Sequence, residues 1–316
     1  MITLDGRNYR GRLWMCFLLY CSMSSLVLGI LQPEECTTYE SELLKLCTPR
    51  TNLTFHLRTN GTKVPFYTRE TACQIMKKRG IVKFDIHGDS FMRHLTQSLM
   101  LVFSGDLESG SLSERGKQFK ECAGDRQFDE KGCFVNDTVP VDGHLKYVQE
   151  EPFCAAQNHT VMIAYSGAEV LECNSGSPHD TIRLFSSGNH ALTPGADTIN
   201  NSTATITYFT GNGVCRRDNL CAPAAFVSTH HRMNDGFQND GHQEFAEVER
   251  FNIEMRAFIE DGGCGAHVGF VDVFNITKSL VHNLRYEASL MTYDGVHWSR
   301  TVNLLKAQII LHHFLG

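Results

Sequence analysis

From residue 80 onward the chain alternates short apolar runs with stretches of helical spacing, and this alternation restricts its fold more than any other feature. IVKFDI (81–86), bounded by Gly80 and by His87-Gly88, predicts a strand. SFMRHLTQSLMLVF (90–103) then sets Phe91, Leu95, Leu99 and Val102 on one helical face. TVMIAY (160–165), TIRLFS (181–186) and APAAFVST (222–229) predict further strands. FAEVERFNIEMRAFIE (245–260) predicts an amphipathic helix through Phe245, Val248, Phe251, Ile253, Met255 and Phe258. HVGFVDVF (267–274) predicts a buried strand, and SRTVNLLKAQIILHHF (299–314) a closing helix that Ser299 is placed to N-cap. Strands alternating with helices imply a parallel sheet with helices on both faces, an α/β fold. In such sheets active sites gather beyond the carboxyl ends of the strands.

Two stretches fall outside this rhythm. Residues 32–79 are polar and cysteine-bearing without sustained periodicity, and predict a stem or wrapping segment before a domain spanning 80–316. Residues 105–157, rich in Gly, Asp, Glu and Cys, predict an insertion held by disulfides rather than a layer of the core.

The N-terminus carries a second constraint. Arg7, Arg10 and Arg12 in the tail 1–12 precede the uncharged run LWMCFLLYCSMSSLVLGIL (13–31). Nineteen residues approach the roughly 20 that span a bilayer as a helix, and exceed the ~7–15 of a cleaved signal's apolar core. A retained single-pass anchor and a cleaved signal, with Val27 and Gly29 near its cleavage point, both remain open. The basic flank places the tail in the cytosol and the body in the lumen, a type II arrangement; cleavage would make the body secreted.

Two other features agree with export. N-x-[ST] acceptors stand at Asn52, Asn60, Asn136, Asn158, Asn200, Asn201 and Asn275, all beyond the apolar run. Of twelve cysteines, Cys16 and Cys21 lie within that run and ten beyond it, an even number suited to disulfides in an oxidising compartment. A net charge of −6, with Lys and Arg scattered, gives no basic footprint for nucleic acid. Hydrophobic content of 42% with 20% charged residues describes an ordinary globular chain. Oligomeric state is left open.

Three short segments carry chemistry. HGDS (87–90) joins the first predicted strand to its helix, putting Ser90 on a tight turn where helix N–H groups and dipole favour a developing oxyanion. The same tetrapeptide also suits a plain N-cap. YDGVHW (293–298) precedes the last helix, and one turn can bring Asp294 to His297, leaving the second ring nitrogen free to serve Ser90 as general base; taken singly, the segment also reads as a turn Asp-Gly followed by a surface histidine. SSGNH (186–190) ends a strand, with Gly188 allowing close approach and Asn189 able to donate to an oxyanion. His230, His231 and His242 cluster in sequence, but a metal site needs three or four converging ligands, and no metal is expected. No Gly-rich phosphate loop is present, and no cofactor is implied.

FDIHGDSFMRHL resembles the GDS block of SGNH hydrolases, GNH their Asn block, and DGVHW their closing D-x-x-H block. GDS-x-x-R, from Gly88 to Arg93, and D-x-x-H-W resemble the PC-esterase branch, which includes the trichome-birefringence-like polysaccharide O-acetyltransferases. The resemblance spans roughly 80–316 with 105–157 outside it. It implies a three-layer α/β/α sandwich and a double displacement through an acyl-serine. By position it makes Ser90 the nucleophile, His297 the base, Asp294 its orienter and Asn189 an oxyanion donor. The family's second block has no clean match; Gly167 is the candidate for its oxyanion-hole glycine, beside the N–H of Ser90. Arg93 is expected to stabilise the serine loop or touch substrate, and Trp298 to stack on a sugar or pack the last helix.

The resulting expectation is an O-acetyltransferase acting on glycan hydroxyls in the Golgi or another endomembrane lumen. The alternatives are a carbohydrate or lipid esterase with the same triad, and a non-catalytic glycan-binding ectodomain.

Overall fold

The structure, a computed structural model, describes residues 26–31, 54–59, 62–63, 65–128, 133, 139–141, 144–148, 152–167, 179–186, 223–229, 245–264, 268–275, 277–278 and 297–316. The chain divides into two compact units, Met1–Val64 and Pro65–Gly316. In the first, β1 (Leu26–Leu31), β2 (Thr54–Thr59) and β3 (Thr62–Lys63) form an antiparallel sheet in that order. The apolar run expected as one helix over 13–31 therefore ends in a strand. Val27 and Ile30 are β-branched and favour extended backbone, and all six residues pair with β2. Residues 13–25 lie outside the described residues. No helix among the described residues is long and apolar enough to cross a membrane.

The second unit begins earlier than periodicity suggested. Helix α1 (Arg69–Arg79) lies within the segment expected to be an aperiodic stem. Thr68 and Thr71 cap its start reciprocally, and Gly80 ends it in the left-handed conformation at φ 68°. Ala72, Cys73 and Met76 turn inward, and Cys73 is disulfide-bonded to Cys154, 81 residues on.

The central sheet has seven strands, β4 (Lys83–His87), β5 (Val139–Val141), β6 (His144–Val148), β7 (Met162–Ser166), β8 (Thr181–Phe185), β9 (Ala224–Val227) and β10 (Val268–Val271). Their order is β10-β9-β8-β4-β7-β6-β5. Five of them, β10, β9, β8, β4 and β7, run parallel, while β6 and β5 add an antiparallel edge. Part of the segment expected to stand outside the core as an insertion thus extends the sheet, because β6 pairs with β7. Cys122–Cys133 closes a shorter loop within the same segment, and Cys264 is also disulfide-bonded.

Side-chain alternation assigns the helices to faces. Ile86 and Leu184 are in register and share one face, as do Phe84 and Ile182. On that face Phe84 meets Phe103 of α2 (Ser90–Ser104), with ring centroids 5.7 Å apart. Every residue of α2 from Phe91 to Phe103 is buried, since α1, β4, β7 and the last helix, α4 (Arg300–Leu315), all pack around it. Phe185 turns to the opposite face and meets Phe226 at 5.7 Å. There α3 (Phe245–Glu260) buries Val248, Phe251, Met255 and Ile259 in one cluster with Phe226 and Val268. Ile253, expected on that stripe, is 61% exposed; two positions from both Phe251 and Met255, it falls on the far side of the helix. A parallel sheet with helices over it is an α/β architecture.

Strand order locates the crevice. β4 has β7 on one side and β8 on the other, so successive connections leave it in opposite directions. The carboxyl end of β4 is a topological switch point, where open α/β sheets hold their ligands.

Candidate active site

The chain leaves β4 at His87 and enters α2 at Ser90 with only Gly88 and Asp89 between. This turn is narrow. Gly88 has φ 144°, and a Cβ there would meet Met92 Cγ at 2.6 Å and the Ser186 carbonyl oxygen at 2.8 Å. Its N–H donates to the Ser166 carbonyl (3.2 Å), and the Ser186 N–H donates to the His87 carbonyl (3.2 Å). Strands β7 and β8 thus clamp the turn from both sides. Tyr165, buried in β7, donates its hydroxyl to the carbonyls of Gly88 (2.9 Å) and Asp89 (3.2 Å).

Asp89, not Ser90, caps the helix: its Oδ1 accepts from the Phe91 N–H at 3.0 Å. The serine is thereby released from the capping role that the tetrapeptide also allowed. Ser90 is the first helical residue, half-buried, among the N–H groups that a helix leaves without intrahelical partners.

His297 approaches from the start of α4. Its Nε2 lies 2.7 Å from Ser90 Oγ, hydrogen-bond distance across 207 residues of sequence. The imidazole is 7% exposed and held by rings from α2: Phe91 at 5.0 Å and His94 at 4.4 Å between centroids. Positions 91 and 94 are one turn apart, so a single helix supplies both the hydroxyl and the wall against which its partner rests. Phe128 backs His94 at 5.4 Å.

The start of α4 is anchored to the segment after α2. Ser299 stands at the N-cap position, but its hydroxyl makes no capping bond. Asp125 Oδ1 instead accepts from the Arg300 N–H at 3.0 Å, while the Arg300 guanidinium donates to the Leu107 carbonyl (2.9 Å) and Glu108 Oε1 (2.8 Å). Asn303 Nδ2 donates to the Trp298 carbonyl at 2.7 Å, pinning the residue after the histidine.

The other expected site residues fare differently. Gly167 follows Ser166, the register partner of His87, and so reaches the same carboxyl edge as the serine turn. Arg93 is 5% exposed, which favours support of the serine turn over contact with substrate. Trp298 corrects the sugar-stacking expectation: it is wholly buried, and its ring packs beneath the last helix instead of facing solvent. Asp294, Asn189, His230, His231 and His242 lie outside the described residues. Among the described residues no group of three or more His, Cys, Asp and Glu is arranged to hold a metal.

Sequence reasoning passed over Tyr165, His94, Asp125, Arg300 and Asn303. Their roles depend on which elements become neighbours, and spacing along the chain carries no such signal.

What the fold and geometry define is an α/β domain with a hydrogen-bonded serine–histidine pair at the switch point of its sheet. No family model, curated protein or solved structure matches this chain, so the likeness to SGNH hydrolases rests on the three short blocks themselves.

Proposed function

We propose that this chain is a serine-dependent acyl-ester enzyme of the secretory pathway that transfers acetyl groups to glycan hydroxyls through an acyl-serine. The observation that carries the acyl chemistry is the 2.7 Å contact between His297 Nε2 and Ser90 Oγ at the carboxyl edge of the parallel sheet. In the first half-reaction Ser90 Oγ attacks the acyl carbonyl while His297 takes the hydroxyl proton. The tetrahedral oxyanion forms at the N-terminus of α2, beside Gly167 and with Asn189 as a further donor. Its collapse expels the donor's alkoxy oxygen, which leaves with the proton from His297. In the second half-reaction a sugar hydroxyl gives its proton to His297 and attacks the acyl-serine, and Ser90 recovers that proton as the ester departs. Asp294, three residues before His297, is the residue to orient the imidazole.

The three-layer SGNH-like architecture belongs to the same reading, supported by five parallel strands with helices over both faces. Export is supported by the Cys73–Cys154 and Cys122–Cys133 disulfides, which suit an oxidising lumen, and by the exposed sequon at Asn158. Residues 13–31 serve as anchor or signal.

The test is incubation of the full chain with an activated acetyl ester, with and without candidate oligosaccharides, followed by mass spectrometry. Acetylated sugar that depends on Ser90 supports transfer, and acetate alone makes the protein an esterase. Activity undiminished in Ser90→Ala refutes the mechanism, and absence of both products favours a glycan-binding ectodomain.

A further inference from the structure

Two of the N-x-[ST] triplets have both their asparagine and their threonine among the described residues, those beginning at Asn158 and Asn275. Both end in threonine, so the motif alone does not separate them. Their surroundings do. Asn158 follows a short 3-10 turn, Ala155–Gln157, in the loop between Cys154 and β7. It holds the left-handed conformation at φ 51°, which asparagine tolerates, and its backbone N–H donates to the Ala155 carbonyl at 3.0 Å. Asn158 is exposed, and so is Thr160. His159 between them turns inward, its Nε2 donating to the Ile81 carbonyl at 2.7 Å. The Cys73–Cys154 disulfide and the Phe153–Val161 bridge hold the loop at its two ends. A fixed loop therefore presents to solvent both the asparagine and the threonine of this triplet.

The second triplet is closed. Ser228 Oγ, just after β9, accepts from the N–H groups of Val273 and Phe274, both at 2.8 Å, and so fastens the chain that follows β10. The Asp272 carboxylate accepts from the Asn275 backbone N–H at 3.0 Å and from its side-chain amide. Thr277 is 0% exposed, and its hydroxyl donates to the Phe274 carbonyl at 2.8 Å. An enzyme that must reach this hydroxyl can do so only before the sheet closes.

We propose that Asn158 carries an N-linked glycan and that the fold keeps the triplet at Asn275 unmodified. The co-reactant is a lipid-pyrophosphate-linked oligosaccharide. Asn158 Nδ2 bonds to C1 of its first sugar, the C1–O bond breaks with its electron pair leaving on the pyrophosphate, and one amide proton passes to the transferring enzyme. This inference rests on the exported reading and adds to it which acceptor the fold leaves open. β7 runs parallel to β4 with Met162 opposite Lys83, so Asn158 precedes the amino edge of the sheet while Ser90 follows the carboxyl edge. Five residues of strand, about 16 Å at about 3.3 Å per residue, separate the two edges, and the glycan leaves the serine–histidine pair uncovered.

The test is expression of the full chain in the secretory pathway of cultured animal cells, with the wild type beside Asn158→Gln and Asn275→Gln. Occupancy is read by gel shift before and after enzymatic glycan removal, and by mass spectrometry of peptides deglycosylated in heavy-oxygen water. Asn158→Gln is expected to lose the mass of one glycan, and Asn275→Gln none. Delaying folding with a membrane-permeant thiol reductant is expected to raise occupancy at Asn275 and leave Asn158 unchanged, because the fold shields only the former. Should a variant misfold, the wild-type peptides decide by themselves. Asn158 empty while other triplets carry glycans, or Asn275 occupied as fully as Asn158 in the folded protein, overturns the assignment and leaves export standing. Asn275 still empty under the reductant overturns the shielding by the fold. A chain with no glycan at any triplet overturns the export reading, and the site with it.

Discussion

Gly88→Ala is the sharpest single test of how the fold holds its candidate nucleophile. Backbone at φ 144° is glycine territory, and an L-residue held there costs about 1–3 kcal/mol. The added methyl would also lie 2.6 Å from Met92 Cγ and 2.8 Å from the Ser186 carbonyl oxygen. Met92 can swing aside. Ser186 cannot, because its N–H is bonded to the His87 carbonyl across the β4–β8 junction. Overpacking of this kind adds about 1–3 kcal/mol, for a total of about 2–6 kcal/mol. At about 2–4 °C per kcal/mol for a domain of this size, Tm should fall by about 5 °C or more. Relief requires the turn to move by about 0.6 Å, the gap between 2.8 Å and the 3.4 Å at which ordinary contact begins. Ser90 is two residues away, and a shift of that size stretches its 2.7 Å bond to His297 to as much as about 3.3 Å, the weak end of hydrogen-bond distance. Misplacement near 1 Å costs about 100-fold in rate. The assay is fluorophosphonate labelling of Ser90 beside a thermal melt. Labelling at the wild-type rate with an unchanged Tm would refute the argument that β7 and β8 clamp this turn.

Ser90→Ala should abolish labelling and acyl transfer while leaving Tm nearly unchanged, as mass spectrometry and a melt will report, since the half-buried hydroxyl contributes little packing. Asp85 offers a pH test: burial pushes its carboxyl up, but the His87 and Lys83 side chains outweigh burial and hold it at about 2, below the ordinary 3.8. A depressed carboxylate stabilises the fold above its unfolded pKa and loses that contribution as pH falls toward its folded one. Asp85→Asn should therefore cost about 2 kcal/mol at pH 7 and nearly nothing at pH 2, measured by urea unfolding. Replacing Cys73 and Cys154 by serine opens a loop of 81 residues and should cost about 4.5 kcal/mol by chain entropy, read as a lower denaturation midpoint.

Much of the element order was legible in advance because it depends on local periodicity. Helix α3 runs over the predicted span 245–260, and the strands at 83–87, 162–166, 181–185, 224–227 and 268–271 fall within three residues of their predicted runs at either end. Misreadings occurred where local pattern and tertiary surroundings disagree. Helix α1 shows little amphipathicity and owes its place to reciprocal capping and to the Cys73–Cys154 bond. Residues 26–31 of the apolar run pair as a strand, while 13–25, and with them the expected helix, lie outside the described residues. In sequence Trp298 is open between a sugar platform and packing of the last helix, because a tryptophan beside a histidine is ambiguous until its surroundings are known; its burial favours packing.

Sequence alone determined the parallel α/β scheme and singled out Ser90 and His297 as the candidate hydroxyl and imidazole. It did so because strand and helix periods, turn residues and side-chain chemistry are properties of neighbours along the chain. Tertiary structure alone decided that these positions meet at 2.7 Å, and that Tyr165 and Arg300 stand behind them. Those contacts join residues tens to hundreds of positions apart, and only the packing of α2 and α4 over the sheet brings them together.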